Sequence, residues 1–155
     1  MRMFWICLVM FTQACYLGGR WEDVPTAKVY GVAPEYLLDD WNVKIDFAIK
    51  AWREVLPSDC PAPFNRTSDL SGKPIRLIEV AEWTWGMSVG MQYAQGIDVR
   101  ADTAVRPALI HELGHAMGLE HTDDVSSIMR SPGEVPLPSS DDGQNAACAL
   151  GCVCF

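Results

Sequence analysis

The most regular pattern of apolar and polar positions lies in residues 38–57. Its apolar side chains recur at intervals of three and four residues, which places them on one face of a helix. Asp39 and Asp40 stand near its start, where the positive end of the helix dipole favours acidic side chains, and Pro57 ends it. The pattern predicts an amphipathic helix whose buried face consists of Trp41, Ile45, Ala48, Ile49 and Trp52.

Four shorter segments have the alternating or β-branched character of strands. In one of them the alternation places Ile75 and Leu77 on one face of a sheet and their neighbours on the other. The polar stretch 58–74 contains prolines and is expected to be a loop. The predicted strands are residues 26–32, 75–83, 87–94 and 96–102.

Two further helices are expected in the second half of the chain. Residues 104–118 are mostly apolar. Residues 139–150 begin with a potential cap, Ser139 or Ser140, and have two aspartates in the first turn. The order strand, helix, three strands and two helices predicts an α/β (α+β) fold, in which a small, mixed and twisted sheet packs against helices.

Length and charge limit the kinds of protein that this chain can be. Its 155 residues suit a single domain, which we expect at residues 20–155. A formal net charge of -8 argues against binding to nucleic acid, which requires a basic face. We therefore expect no nucleic-acid partner. We also expect the protein to be a monomer.

Residues 1–14 have the features of an export signal. Arg2 precedes an unbroken apolar run at residues 3–11, and small residues follow it. The run is about half of the roughly 20 residues that a membrane-spanning helix needs, so it predicts a removable signal and a secreted or cell-envelope location. Cleavage before Cys15 would resemble that of bacterial lipoproteins, and a lipid anchor at Cys15 is the one membrane attachment we consider. A buried N-terminal segment is the alternative to export.

Export makes disulfides the expected state of the remaining cysteines. Four cysteines allow three pairings, and the sequence leaves the connectivity open. A metal knuckle formed by the same four side chains is the alternative. The cysteines concerned are Cys60, Cys148, Cys152 and Cys154.

All three histidines of the chain lie in the stretch HELGHAMGLEH, residues 111–121. His111 and His115 are four residues apart, so on a helix their imidazoles lie on one face and can bind one metal ion. Glu112 points about 100° round the helix, beside that ion. This is where a general base for a metal-bound water belongs.

The rest of the motif supplies a third ligand. Gly118 tolerates the left-handed conformation that ends a helix, so the chain can return His121 towards the other two histidines. Three protein ligands leave a fourth position for water, which is the arrangement of catalytic zinc sites. The spacing therefore predicts a catalytic zinc site.

The motif HExxHxxGxxH, which begins at His111, resembles the extended zinc signature of the metzincin metallopeptidases. The stretch HTDDVSSIM, residues 121–129, looks most like the matrixin (matrix metalloproteinase-like) branch. This resemblance implies a zincin-like fold with a central zinc-binding helix, a catalytic Glu112, and a methionine turn in which Met129 supports the site. It also implies a protein or peptide substrate that binds extended along an edge strand, for which residues 88–94 are the candidate.

Some positions depart from the matrixin pattern. Residues 130–132 replace the prolyl-tyrosine wall of typical matrixins, which leaves the substrate preference open. No histidines remain for the structural zinc of that family, so we expect one zinc ion. The acidic pairs at residues 123–124 and 141–142 could hold calcium, but no motif supports this, and we expect solvated caps.

The sequence thus predicts a zinc-dependent endopeptidase in which Glu112 activates a zinc-bound water. One alternative is a zinc-containing binding module without turnover, which would have no use for a base at that position. A second is a hydrolase of cell-wall peptides, which the motif alone does not separate from a protease.

Overall fold

The computed structural model describes residues 27–32, 38–60, 64–66, 73–78, 82, 90–93, 96–101, 105–130 and 135–152. The predicted signal at residues 1–14, Cys15 and Cys154 lie outside these described residues. The elements are β1 (Ala27–Val32), α1 (Leu38–Val55), β2 (Phe64–Arg66), β3 (Lys73–Ile78), β4 (Gly90–Tyr93), β5 (Gly96–Arg100), α2 (Val105–Ala116) and α3 (Ser140–Leu150).

The strands form one mixed sheet in the order β2-β1-β3-β5-β4. Neighbouring strands are parallel except for β4, which runs antiparallel to β5 at one edge of the sheet. Parallel neighbours require crossover connections, and α1 supplies one of them between β1 and β2. The predicted α+β class with a small mixed sheet is confirmed.

The strand β2 corrects the expectation that residues 58–74 form a loop. It pairs in parallel with β1, and Phe64 is fully buried. The Arg53 guanidinium of α1 donates a hydrogen bond of 2.8 Å to the Phe64 carbonyl. A strand of three residues has too few positions to show alternation, so tertiary contacts define it and local sequence does not.

The predicted amphipathic helix is confirmed as α1. All five side chains of its predicted apolar face are buried in the core. The Trp41 indole donates a hydrogen bond of 3.0 Å to the Ile75 carbonyl, which connects α1 to the central strand β3. Ile75 and Leu77 of β3 are buried as their alternation predicted.

The central helix α2 lies in the interior, where it contacts α1, β4 and β5. Nearly all of its residues are buried, including the polar side chains of His111, Glu112 and His115, so apolar character alone does not explain the burial of this helix. None of the described helices has the length and apolar character needed to cross a membrane.

The last helix, α3, begins at a cap formed by Ser139 and ends at Gly151, whose φ of 76° is left-handed. Cys152 follows that turn and forms a disulfide with Cys60, which lies beyond the end of α1. Cys148 is also disulfide-bonded. Oxidation of these cysteines is confirmed, and the alternative of a four-cysteine metal knuckle is wrong, because two of its thiolates are joined to each other.

Candidate metal centre and active site

The helix α2 presents His111 and His115 on one face, a single turn apart. Both side chains are buried. Trp52 of α1 donates a hydrogen bond of 2.8 Å to the carbonyl of Ile110, directly before the first of these histidines. Packing of α2 against the buried face of α1 therefore determines where both imidazoles lie.

A tight turn after α2 returns the chain towards the same point. Gly118 has a φ of 101°, and the N–H of Leu119 donates a hydrogen bond of 3.0 Å to the carbonyl of Gly114. A side chain would be strained at this φ, so the residue type follows from the geometry of the turn. The turn brings His121 to the two helical histidines, where it remains the most exposed of the three.

Backbone carbonyls orient the two buried imidazoles. Nδ1 of His111 lies 2.7 Å from the Ile128 carbonyl, and Nδ1 of His115 lies 2.7 Å from the Leu119 carbonyl. A carbonyl only accepts, so each Nδ1 carries the proton and each Nε2 keeps a lone pair. This is the protonation state that a metal ligand requires.

Burial also keeps these imidazoles neutral. The pKa of His111 is lowered to about 4 and that of His115 to about 3. Burial is the largest cause, and the neighbouring histidines contribute to the lowering. Burial also lowers the pKa of His121. At neutral pH all three side chains are therefore uncharged and able to donate a lone pair to a metal ion.

The three Nε2 atoms converge on one point. Nε2 of His121 lies 3.1 Å from that of His111 and 3.2 Å from that of His115. Two nitrogen ligands on tetrahedral zinc, each about 2.0–2.1 Å from the ion, lie about 3.3 Å apart. The donor set and its spacing therefore fit zinc, and within the described part of the chain this is the group of side chains that could hold a metal ion.

Glu112 lies beside this triad and faces β4. It is only 1% exposed, and its carboxylate accepts a hydrogen bond from the main-chain N–H of Gln92. Its Oε2 atom has no hydrogen-bond partner among the described residues. Burial is the main cause that raises the pKa of Glu112 well above its usual value, although the Gln92 bond opposes this. A buried carboxylate with one unpaired oxygen is suited to accept a proton.

Met129 packs against α2 at Gly114 and is only 2% exposed. It packs where a side chain on Gly114 would lie: a Cβ there would overlap the Met129 sulfur and approach Cζ2 of Trp52 to 3.0 Å. Gly114 occupies a variable position of the motif and was not among the predicted site residues. A glycine inside a helix, where it costs about 1 kcal/mol relative to alanine, was the available signal.

The acidic pairs have local partners in the structure. Asp124 is exposed and accepts hydrogen bonds of 2.8 Å from both the main-chain N–H and the hydroxyl of Ser126. Asp142, in contrast, is 3% exposed and takes part in the cap of α3. The expectation of a solvated cap was therefore wrong for Asp142, because tertiary contacts enclose its carboxylate.

Comparison with known proteins agrees with this geometry. The family model for matrixin (peptidase M10) matches residues 40–141, which is more than half of the chain and includes most of α1, the strands β2 to β5 and α2. A search of curated proteins finds no match. The predicted resemblance is confirmed, and this chain belongs to the matrixin family of metallopeptidases.

Proposed function

We propose that this protein is a zinc-dependent endopeptidase, with His111, His115 and His121 as the zinc ligands. The observation that carries the proposal is the convergence of three Nε2 atoms next to a buried carboxylate, Glu112. The spacing suits zinc, and three protein ligands leave a fourth coordination position for water.

In this proposal the chain's own residues do the following chemistry. Zinc, when bound, would polarise the scissile carbonyl and lower the pKa of a water molecule. Glu112 would accept a proton from that water molecule while the water oxygen forms a bond to the carbonyl carbon. The same carboxyl would then return the proton to the amine nitrogen as the carbon–nitrogen bond breaks.

The substrate would bind extended beside β4. This strand is last in the sheet order, so one of its sides has no neighbouring strand among the described residues. An added peptide strand can pair with such an edge through main-chain hydrogen bonds. The hydrogen bond from Gln92 to Glu112 supports this position, because it connects the same strand to the proposed base.

We further propose export of the chain, which the apolar run at residues 3–11 supports.

The binding-module alternative has less support. An isolated buried carboxylate is costly unless something compensates it. A module that only holds zinc would gain nothing from Glu112, whose Oε2 has no partner in the described part of the chain.

Cleavage of an unstructured protein such as casein tests the proposal. We expect purified protein to contain about one equivalent of zinc, to cut casein, to lose activity with a chelator and to regain it with added zinc. Protein that keeps its zinc and cuts neither casein nor a diverse peptide pool would contradict the proposal and favour the binding module.

A further inference from the structure

One side chain of α3, Asp142, connects this helix to the loop that precedes Met129. The Asp142 carboxylate accepts hydrogen bonds of 2.8 and 3.0 Å from the main-chain N–H and the hydroxyl of Ser139, which cap α3. The same carboxylate also reaches the loop that holds Met129. There it accepts a hydrogen bond of 3.1 Å from the N–H of Ile128 and another from the hydroxyl of Ser127.

These contacts continue as a chain of hydrogen bonds to His111. The Ser127 hydroxyl donates to Asp142 and accepts a bond of 3.0 Å from the main-chain N–H of Met129. That N–H belongs to the peptide group whose carbonyl, on Ile128, lies 2.7 Å from Nδ1 of His111. Each donor in the chain therefore points away from His111 and towards the carboxylate.

We propose that Asp142 and Ser127 are positioning residues for the metal ligand His111, acting through the peptide group between Ile128 and Met129. This inference rests on the proposed zinc site and names residues outside its ligand set. Histidine ligands commonly donate their second N–H to a carboxylate or a carbonyl, which fixes the ring and makes the metal-facing nitrogen more basic. In this protein the carbonyl is that of Ile128. It is itself polarised by the chain of hydrogen bonds that ends at the Asp142 carboxylate.

The capping box of α3 accounts for only part of the contacts of the Asp142 carboxylate, which accepts one hydrogen bond from the main-chain N–H of Ser139. The Ser139 hydroxyl already accepts a bond of 3.1 Å from the main-chain N–H of Asp142, so it satisfies an end group of the helix. A buried charge is costly unless several donors surround it, and two of the donors to Asp142 come from the loop beneath the metal site. The carboxylate is therefore arranged to hold that loop as well as the helix.

Three variants separate this role from simple support of α3. Ser127→Ala removes the hydroxyl that connects the carboxylate to the peptide group. Asp142→Asn removes the charge at the end of the chain. Ser139→Ala is the matched control, because the Ser139 hydroxyl contacts the far end of the chain, at Oδ2 of Asp142, whereas the Ser127 hydroxyl donates to Oδ1 and also accepts from the peptide group next to His111.

Metal affinity and the visible spectrum of the cobalt-substituted protein are the readouts, because loss of helix stability alone changes neither. We expect Ser127→Ala and Asp142→Asn to weaken zinc binding about 10–100-fold, the range typical of losing an outer partner of a ligand, and to shift the Co²⁺ absorption bands. Ser139→Ala should lower the melting temperature and leave the zinc affinity and the spectrum as in wild type.

Each outcome bears on a different statement. If Ser127→Ala and Asp142→Asn both bind zinc as tightly as Ser139→Ala and both have the wild-type cobalt spectrum, the positioning role is wrong. If Asp142→Asn does not fold, the comparison between Ser127→Ala and Ser139→Ala decides in the same way. If the wild-type protein itself binds no zinc, the proposed function fails, and that result is distinct from equal affinities among the variants.

Discussion

A methyl group on Gly90 of β4 would lie 2.6 Å from Oε1 of Glu112 and 2.8 Å from its Cγ. Such distances are well inside van der Waals contact, so the edge strand can lie against the proposed base only because this position has no side chain. The backbone of β4 and the carboxylate of α2 therefore determine each other's position. This contact connects the proposed substrate strand to the proposed catalytic group.

Gly90→Ala should reduce turnover while zinc stays bound. The added Cβ must displace either Glu112 or β4, and a displacement of about 1 Å can cost about 10²-fold in rate. The measurement is kcat on a peptide substrate together with zinc content. Gly151→Ala is the control, because Gly151 has a φ of 76° and a Cβ there meets nothing within 4 Å, so it strains the backbone away from the site. Wild-type turnover in Gly90→Ala would contradict the proposed contact.

His121→Ala should release zinc although His121 is the most exposed of the three histidines. Removal of a direct ligand should weaken zinc binding by more than the roughly 10–100-fold that loss of an outer partner costs. Competition with a chromophoric chelator measures the affinity, and Thr122→Ala, on the neighbouring residue, is the control. Equal zinc affinity in His121→Ala and wild type would remove His121 from the ligand set.

The disulfide between Cys60 and Cys152 should contribute strongly to stability. It closes a loop with a sequence separation of 92 residues, for which the chain-entropy model gives about 4–5 kcal/mol. Replacing both cysteines by serine should therefore lower the melting temperature by at least roughly 10 °C. Thermal unfolding of the double variant beside wild type measures this, and identical melting temperatures would show that the bond does not constrain the unfolded chain.

The metal-free protein should lose stability as the pH falls below about 6.5. Burial lowers the pKa of His111 from 6.5 to about 4 and that of His115 from 6.5 to about 3, so the unfolded chain binds protons that the folded chain refuses. Between pH 6.5 and pH 5 each histidine should cost roughly 1–2 kcal/mol of the free energy of unfolding. The raised pKa of Glu112 acts in the opposite direction, since it removes stability as the pH rises.

The variant Glu112→Gln isolates the histidines in this experiment because it removes the opposing carboxyl. Its metal-free melting temperature should fall from pH 7 to pH 5 with no compensating gain from position 112. A melting temperature that stays level over this interval would mean that the buried imidazoles are protonated without cost.

Local sequence was sufficient where one segment determines its own structure. The apolar stripe of α1 defined both the helix and its buried face, and the turn at Gly118 followed from its residue type. The ligand spacing likewise depends on one helix and one turn. These features could be predicted because their causes lie within a few residues.

The remaining features depend on contacts between distant segments. Gly90 and Glu112 meet because β4 packs on α2, and Asp142 is buried because α3 packs on the loop before Met129. The strand β2 exists because β1 and Arg53 supply its partners. Pairs that are separated by more than ten residues leave no periodic signal, so the sequence alone could not indicate them.

Glu112→Gln tests the central claim most directly, because it preserves the shape of the side chain and removes its ability to accept a proton. Glu112 is not among the proposed ligands, so the zinc content should match that of wild type. Turnover of casein or of a peptide substrate should fall by at least the roughly 10²–10⁴-fold that general acid–base catalysis contributes. A zinc-loaded Glu112→Gln variant that cuts at the wild-type rate would contradict the proposed role of Glu112 while leaving the zinc site intact.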